Sequence, residues 1–438
     1  MRRRDLLTCG AALLGAGVAR AEGGPALRDA AREAWIYTLP LNEIANVRAR
    51  ILGLGARANA FYPQRALAGP EARTVTTPNN DTVYASAFID LSKGPVTLVQ
   101  PDLGARYASF ALMDMWSDNF AVLGTRTTGP EGGRFTLVGP DEAAPGNALR
   151  SPTPWVWALA RVVVNGPADL DAARAVLGGY RVEGGPAGVA AKGARRDGPW
   201  QDYFRAASAL LAETPPPATD RAVLRRIAPL GLEAFDPGRF TLAQQAEVAA
   251  GVADAIALVK GVGLGGVGLG ADAKDGWLFQ PADTGAFFQD YLGRARVALG
   301  GLAALPPEEA MYLTALAPNG RRLFDGEGLY RLRFGADQTP PVDAFWSLTM
   351  YEATADGQFF MAANRIDRYA IGDRTPGLVR DRDGGLSLWI SRSDPGGART
   401  ANWLPAPAKG PYSMVLRLYL PRPAAISRAW TPPRIEAA

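Results

Sequence analysis

The residues best equipped for chemistry in this chain fall in three short stretches. Thr76-Thr77-Pro78-Asn79-Asn80-Asp81-Thr82-Val83-Tyr84 sets two amides and a carboxylate ahead of a phenol. Asp114-Met115-Trp116-Ser117-Asp118-Asn119 places two carboxylates around an indole, and Gly124-Thr125-Arg126 follows at once. A carboxylate can take a proton, a tyrosine can hold or give one, and an arginine can clamp an oxyanion. Asp81 or Asp114 as general base, with Tyr84 beside it and Arg126 as anion stabiliser, suits hydrolase- or lyase-type chemistry. Each stretch also has a structural reading. Asn and Asp bond neighbouring backbone groups in turns, and Arg126 can pair with Asp114 or Asp118 on an adjacent strand. At strand periodicity Asp114, Trp116 and Asp118 share one face. A strand end with an Asp-Asn turn and a packed Trp116 therefore competes with an acid–base pair or half of an oxygen-ligand cation site.

Polar and aromatic residues meet again near the C-terminus. Phe345-Trp346-Ser347-Leu348-Thr349-Met350-Tyr351 alternates as a strand, with Trp346, Leu348 and Met350 toward a core and Phe345, Ser347, Thr349 and Tyr351 on the other face. A pocket wall is the alternative role for Trp346. Asn364, Arg368 and Tyr369 form a second group, and Asn402-Trp403-Leu404-Pro405 reads as a loop carrying a large aromatic. The candidate ligand contacts are thus Asn79, Asn80, Trp116, Trp346, Arg368, Asn402 and Trp403. Gly263-Leu264-Gly265-Gly266-Val267-Gly268 matches a dinucleotide fingerprint in letters only; a helix precedes it where a strand is required, so it reads as a flexible loop.

Absences narrow the chemistry further. The chain has no His, and its single Cys is Cys9. That excludes Ser-His-Asp and Cys-His nucleophile systems, zinc sites built on His or Cys, His-ligated haem and iron–sulfur clusters. No cofactor is expected, and an oxygen-ligated calcium or magnesium ion is the one metal reading left open.

The N-terminus reads as an address. Arg2-Arg3-Arg4-Asp5-Leu6-Leu7 precedes a short apolar run ending in Ala19-Arg20-Ala21, the pattern of a cleaved signal peptide of twin-arginine type spanning residues 1–21. The expected location is the periplasm or the exterior. Four arginines would leave with the signal against one aspartate, which brings the formal net charge of +4 close to neutrality. A nucleic-acid partner is not expected. No later segment offers about 18 uninterrupted apolar residues, so no integral membrane segment is expected either. Oligomeric state stays open.

The elements that must position these residues come in three blocks. Helical periodicity covers 26–53, with Pro40 expected to break it and a second piece to begin near Asn42. Short segments rich in Val, Tyr, Phe and Trp at 82–90, 95–100, 106–115, 119–125, 134–138 and 155–164 read as strands. Helices are expected at 167–178, 200–213, 219–228, 242–260 and 283–300, the last capped by Asp283 or Thr284. Strands return at 310–317, 329–335, 343–352, 385–391 and 412–420. The predicted class is α+β and β-rich: antiparallel sandwich or jelly-roll domains at 76–180 and 306–438, an N-terminal helical segment at 22–75 and a helical middle section at 181–305.

Pro78-Asn79-Asn80-Asp81-Thr82, the turn Asp90-Leu91-Ser92-Lys93-Gly94-Pro95 and Gly124-Thr125-Arg126 resemble the bacterial family catalogued as domain of unknown function 1254. Pro340-Pro341-Val342, Phe345-Trp346-Ser347, Arg368-Tyr369, Asn402-Trp403-Leu404-Pro405 and Tyr412 resemble its usual companion, domain of unknown function 1214. The resemblance implies β-sandwich-like domains with helical segments, often exported, and assigns no catalytic residue. Two functional readings follow. One is a small-molecule ligand held in a pocket between the β-rich domains, with catalysis left open. The other is a non-catalytic, envelope-associated interaction or structural protein.

Overall fold

The computed structural model describes residues 25–64, 66–73, 76–143, 145–261, 273–355 and 357–438. Residues 1–21, read above as a signal peptide, and the glycine-rich 263–268 stretch lie outside the described residues.

The fold is α+β and β-rich, with four sheets paired into two sandwiches. In the first, a five-stranded sheet runs in the order Tyr62–Gln64, Thr82–Asp90, Trp155–Val163, Ala108–Met113, Asn119–Gly124. A four-stranded sheet containing Val96–Gln100 and Gly133–Val138 covers one of its faces. Val83, Ala85, Ala87 and Ile89 alternate into the core between them, beside Val156, Ala158, Ala160 and Val162 of the central strand. That central strand is buried along its whole length, so both of its faces are covered.

The second sandwich joins a seven-stranded sheet to a four-stranded one built on Tyr330–Phe334 and Leu386–Ser391. The longest pairing in the larger sheet is between Val342–Ala353 and Tyr412–Pro421. Trp346, Leu348 and Met350 enter the sandwich core, while Phe345 and Tyr351 point the other way into a different cluster. The period-2 reading of this strand therefore holds residue by residue. Trp403–Pro405, expected as a loop, is a short strand parallel to Leu386–Ser391; Leu404 is fully buried there, and that burial outweighs the turn tendency of Asn402 and Pro405.

Helices cover part of the remaining face of the five-stranded sheet, over Phe88, Trp155, Trp157 and Leu159. Pro25–Gly53 is one continuous helix, and Pro40 lies inside it. The break expected there does not occur. Residues 34–42 are almost wholly buried, and such packing outweighs the single backbone bond that a proline removes. Side chains also tie the local carbonyls: Thr38 Oγ1 donates to Ala34 O and Asn42 Nδ2 to Thr38 O. Leu242–Gly261 crosses this helix so closely that a Cβ on Gly251 would lie 2.2 Å from Arg28 O. By length and composition Leu242–Lys260 could span a bilayer, although no such segment was expected; Val248, Ala255 and Val259 bury one of its sides in the helical core. The helix expected at 283–300 is shorter than its periodicity suggests, Tyr291–Gly300. Its cap is Asp290, which accepts from Gly293 N, whereas Thr284 turns back onto Pro281 O.

Candidate functional site

The two sandwiches meet through the outer faces of their larger sheets. On the N-terminal side, cross-strand pairing sets Tyr84, Arg161 and Ser109 in one row. On the C-terminal side it sets Tyr312, Arg417 and Ser347 in another. Apolar and aromatic side chains close the surroundings: Tyr107, Ala111, Val163, Phe345, Tyr351, Val415 and Tyr419 belong to one buried cluster. Phe345 stacks on Tyr419 at 4.1 Å, and Tyr107 meets both rings edge-on. Tyr84 and Ser86 keep partial exposure while their strand neighbours are buried, so the covering layers part at that point.

Asp81 bridges the two domains. Its carboxylate accepts Ser347 Oγ at 2.5 Å and Arg374 Nη2 at 2.7 Å, both from the C-terminal sandwich. Arg374 also donates to Val164 O and lies over the Phe345 ring at 3.9 Å. Asn79 takes the backbone N–H of Asp81 on its Oδ1 and donates to the Tyr419 hydroxyl through Nδ2. Tyr351 donates to Pro78 O at 2.6 Å. Asn80 turns away and donates to Ala68 O. The polar knot of the sequence is therefore a tie between domains, with Asp81 and Asn79 bonded across the interface, Tyr84 beside them and Asn80 turned away.

Two buried guanidinium groups carry the electrostatics. Arg161 donates Nη2 to Ala303 O, and its Nη1 has no partner. Arg417 donates to Thr349 Oγ1 and to Thr77 O. Among the described residues, neither has a carboxylate within ion-pair distance, although both are nearly inaccessible. The carboxylates nearby serve other arginines: Glu309 holds Arg126 at 2.7 Å and accepts Tyr107 OH, and Asp81 holds Arg374. The two carbonyls facing Arg161 and Arg417 come from strained residues, Ala303 at φ 69 and Thr77 at φ 51. A β-branched residue in that region is a genuine outlier and points to a position held by its surroundings.

Burial sets the protonation at this interface. It lifts the Tyr419 phenol well above its ordinary range, with Asp81, Tyr84 and Tyr312 adding to the effect and Arg417 opposing it. Burial also raises Tyr312, Tyr351 and Tyr107. These tyrosines stay protonated; Tyr107 and Tyr351 donate, to Glu309 and Pro78 O, while Tyr419 and Tyr312 accept. Burial alone would lower Arg417, but its surroundings raise it instead, with Asp81 the charged neighbour at neutral pH, and the guanidinium stays charged. The Glu309 carboxyl is raised by burial against the pull of Arg126 and Tyr107. Asp373, whose carboxylate accepts Trp346 N beside Arg374, is pushed up by burial to about 6.

The other candidates lie elsewhere. Met113 pairs with Trp157 while Asp81 lies beyond Val163, so Asp114 and Asp81 are separated along the central strand by roughly 25 Å. The strand ends before Asp114, and residues 114–118 form a turn with Ser117 at φ 72. One Asp114 oxygen accepts both Trp116 N and Asp118 N, so Asp114, Trp116 and Asp118 do not share a strand face. Asp118 instead accepts Phe287 N and Arg294 Nη2, while Trp116 packs on Tyr37 at 4.8 Å against the helical layer. Asp114 is pushed up to about 7 by burial and by the charge of Asp118, against the pull of Arg294. Arg126 reaches neither aspartate, because Glu309 claims it from the other domain.

Trp346 packs on Phe334 inside the C-terminal sandwich. Asn402 is spent on Val379 N, Val379 O and Ser387 O, Arg368 on Ala401 O and Trp403 O, and Trp403 Nε1 on Ser391 O. These three tie loops at the far side of that sandwich. Among the described residues, no group of three or more carboxylates is arranged to hold a metal ion. Sequence reading missed Arg161, Tyr312, Tyr419 and Arg417. The signal was present: Arg161 and Arg417 are lone charges inside the apolar strands Trp155–Val163 and Tyr412–Pro421, and a charge there must be paired or functional.

Residues 58–184 match a family model described as "Protein of unknown function (DUF1254)", and residues 309–423 match "Protein of unknown function (DUF1214)". The chain has the two-domain arrangement of these families. The interface lies between the two matched regions: Asp81, Tyr84 and Arg161 fall in the first, and Tyr312, Ser347 and Arg417 in the second. No curated protein matches the chain significantly. Its fold is similar to the crystal structure of a Vibrio parahaemolyticus protein, with 23% identity, 94% of this chain and 100% of that chain covered, and a TM-score of 0.68. An uncharacterized protein from Burkholderia cenocepacia aligns over 95% of this chain and 96% of its own at 13% identity and a TM-score of 0.46.

Proposed function

We propose that this protein binds a small organic ligand in the chamber between its two β-rich domains. The observation that carries the reading is a set of buried polar groups without partners on the outer face of the N-terminal five-stranded sheet, Arg161 Nη1, Ser109 Oγ and Thr82 Oγ1. Buried polar atoms are nearly always bonded in folded proteins, so such a cluster calls for an occupant. Aromatic walls with a few convergent polar groups at a domain interface are the usual make-up of a ligand site. Catalysis is not part of the proposal: Asp81 is engaged by Ser347 and Arg374, and Asp114 lies far from the chamber.

Thermal-shift and calorimetric screening of the purified chain against small acids, sugars and amides tests the reading. A ligand at about 100 times its Kd raises stability by about 2.7 kcal/mol, an easily read shift. That gain should disappear in Tyr419→Phe, which keeps the ring and removes the hydroxyl. A panel without any stabilising member would favour the second reading, in which Asp81, Ser347 and Arg374 simply staple two domains of an envelope-associated structural protein.

A further inference from the structure

We infer that the occupant of this chamber is a small carboxylate, held between Arg161 of the N-terminal domain and Arg417 of the C-terminal domain. The inference rests on the binding reading above and gives it a substrate class.

The donor balance is the first argument. Arg161 Nη1 is an unpartnered N–H, and the Tyr419 and Tyr312 hydroxyls each accept a bond, from Asn79 Nδ2 and Leu305 N, while donating none among the described residues. Burial keeps both phenols protonated. The carboxylates and carbonyls nearby already accept bonds: Asp81 from Ser347 and Arg374, Glu309 from Arg126 and Tyr107, Thr77 O from Arg417 and Ala303 O from Arg161. The chamber is rich in unused donors, so the missing partner is an acceptor.

The charge balance is the second. Arg374 is matched to Asp81 and Arg126 to Glu309, and Asp373 sits on the Arg374 side, bonded to Trp346 N. Arg161 and Arg417 face each other's sheets with only neutral carbonyls and hydroxyls as direct partners. A buried charge without a counter-charge is expensive, and a sugar or an amide would leave that cost in place. A carboxylate supplies acceptor lone pairs and a negative charge together, and it matches the planar N–H fork of arginine. The aromatic surroundings, Tyr107, Phe345, Tyr351 and Tyr419, favour an organic acid over inorganic phosphate.

The test uses the full chain with succinate, benzoate, inorganic phosphate and glucose as probes, titrated by calorimetry at pH 7 and constant ionic strength. Succinate or benzoate should bind, phosphate and glucose should not, and Arg161→Met should weaken the carboxylate roughly 10- to 100-fold. Arg417→Lys, which keeps the charge and guards against a folding defect, should lose less than Arg417→Met, with circular dichroism confirming that each variant is folded. Glucose binding that survives Arg161→Met and is lost in Tyr419→Phe would overturn the carboxylate assignment and leave the chamber standing as a site. Tight phosphate binding with no carboxylate binding would overturn it too. If no probe binds the wild-type chain, the chamber reading and the carboxylate fail together.

Discussion

Asp114→Asn should stabilise this protein at pH 8 by clearly more than it does at pH 5, and leave it nearly unchanged at pH 4. Asp114 is buried at the tip of the Ala108–Met113 strand, where burial and the neighbouring Asp118 push its carboxyl up to about 7. An unfolded aspartate titrates near 3.9. Below about pH 4 both states are protonated and nothing is lost. Between about 4 and 7 the unfolded chain has released its proton and the folded chain still holds it, so native stability falls as pH rises through that window. Above about 7 both are ionised and the loss is complete. At about 1.4 kcal/mol per pH unit, the full span is on the order of 4 kcal/mol. Asparagine keeps the side-chain oxygen that accepts Trp116 N and Asp118 N, and it removes the charge. It also relieves Asp118, which burial holds up while Arg294 pulls it down, so the coupled partner moves stability in the same direction. Urea unfolding of both chains at pH 5, 6, 7 and 8, followed by tryptophan fluorescence and circular dichroism, measures the difference directly. The variant should gain about 2–4 kcal/mol over the wild type between pH 5 and pH 8. A difference that stays flat, or shrinks as pH rises, would refute the assignment of Asp114 as a buried, proton-holding carboxyl.

Gly285→Ala should cost about 1–3 kcal/mol in the same assay, because φ is +78 and the new Cβ would lie 2.7 Å from Asn119 Nδ2 and 3.1 Å from Ala304 O; an unchanged midpoint would count against this packing. Asn402→Ala should lose about 2–4 kcal/mol with its buried bonds to Val379 and Ser387, yet leave succinate binding at the chamber untouched, which separates a loop tie from a ligand contact.

Secondary structure was largely legible because period and punctuation are local. The strands at Thr82–Asp90, Ala108–Met113 and Trp155–Val163 fall where β-branched and aromatic residues end at turn dipeptides. Pro40 failed as a helix breaker because its cost is outweighed by tertiary burial, which a local rule does not see. The expected cap at Asp283 or Thr284 gave way to Asp290 for a similar reason. Asp118 and Asn119 hold the preceding segment in a turn through Phe287 N, Gly285 O and Ala304 O.

The candidate site was legible only in part. Asp81, Tyr84 and Asn79 were singled out and lie at the interdomain interface; Asn402, Arg368 and Trp403 carry the same residue types and serve as loop ties. Composition alone removes histidine and cysteine chemistry, and alternation alone divides Trp346, Leu348 and Met350 from Phe345, Ser347, Thr349 and Tyr351. What lies across from that second face is decided by tertiary structure. An outward face of one sheet reads the same whether it meets water or another domain, because the period-2 pattern records direction and not destination. Only the docking of two sandwiches brings Arg161 and Arg417, solitary charges in two apolar strands, to one buried interface.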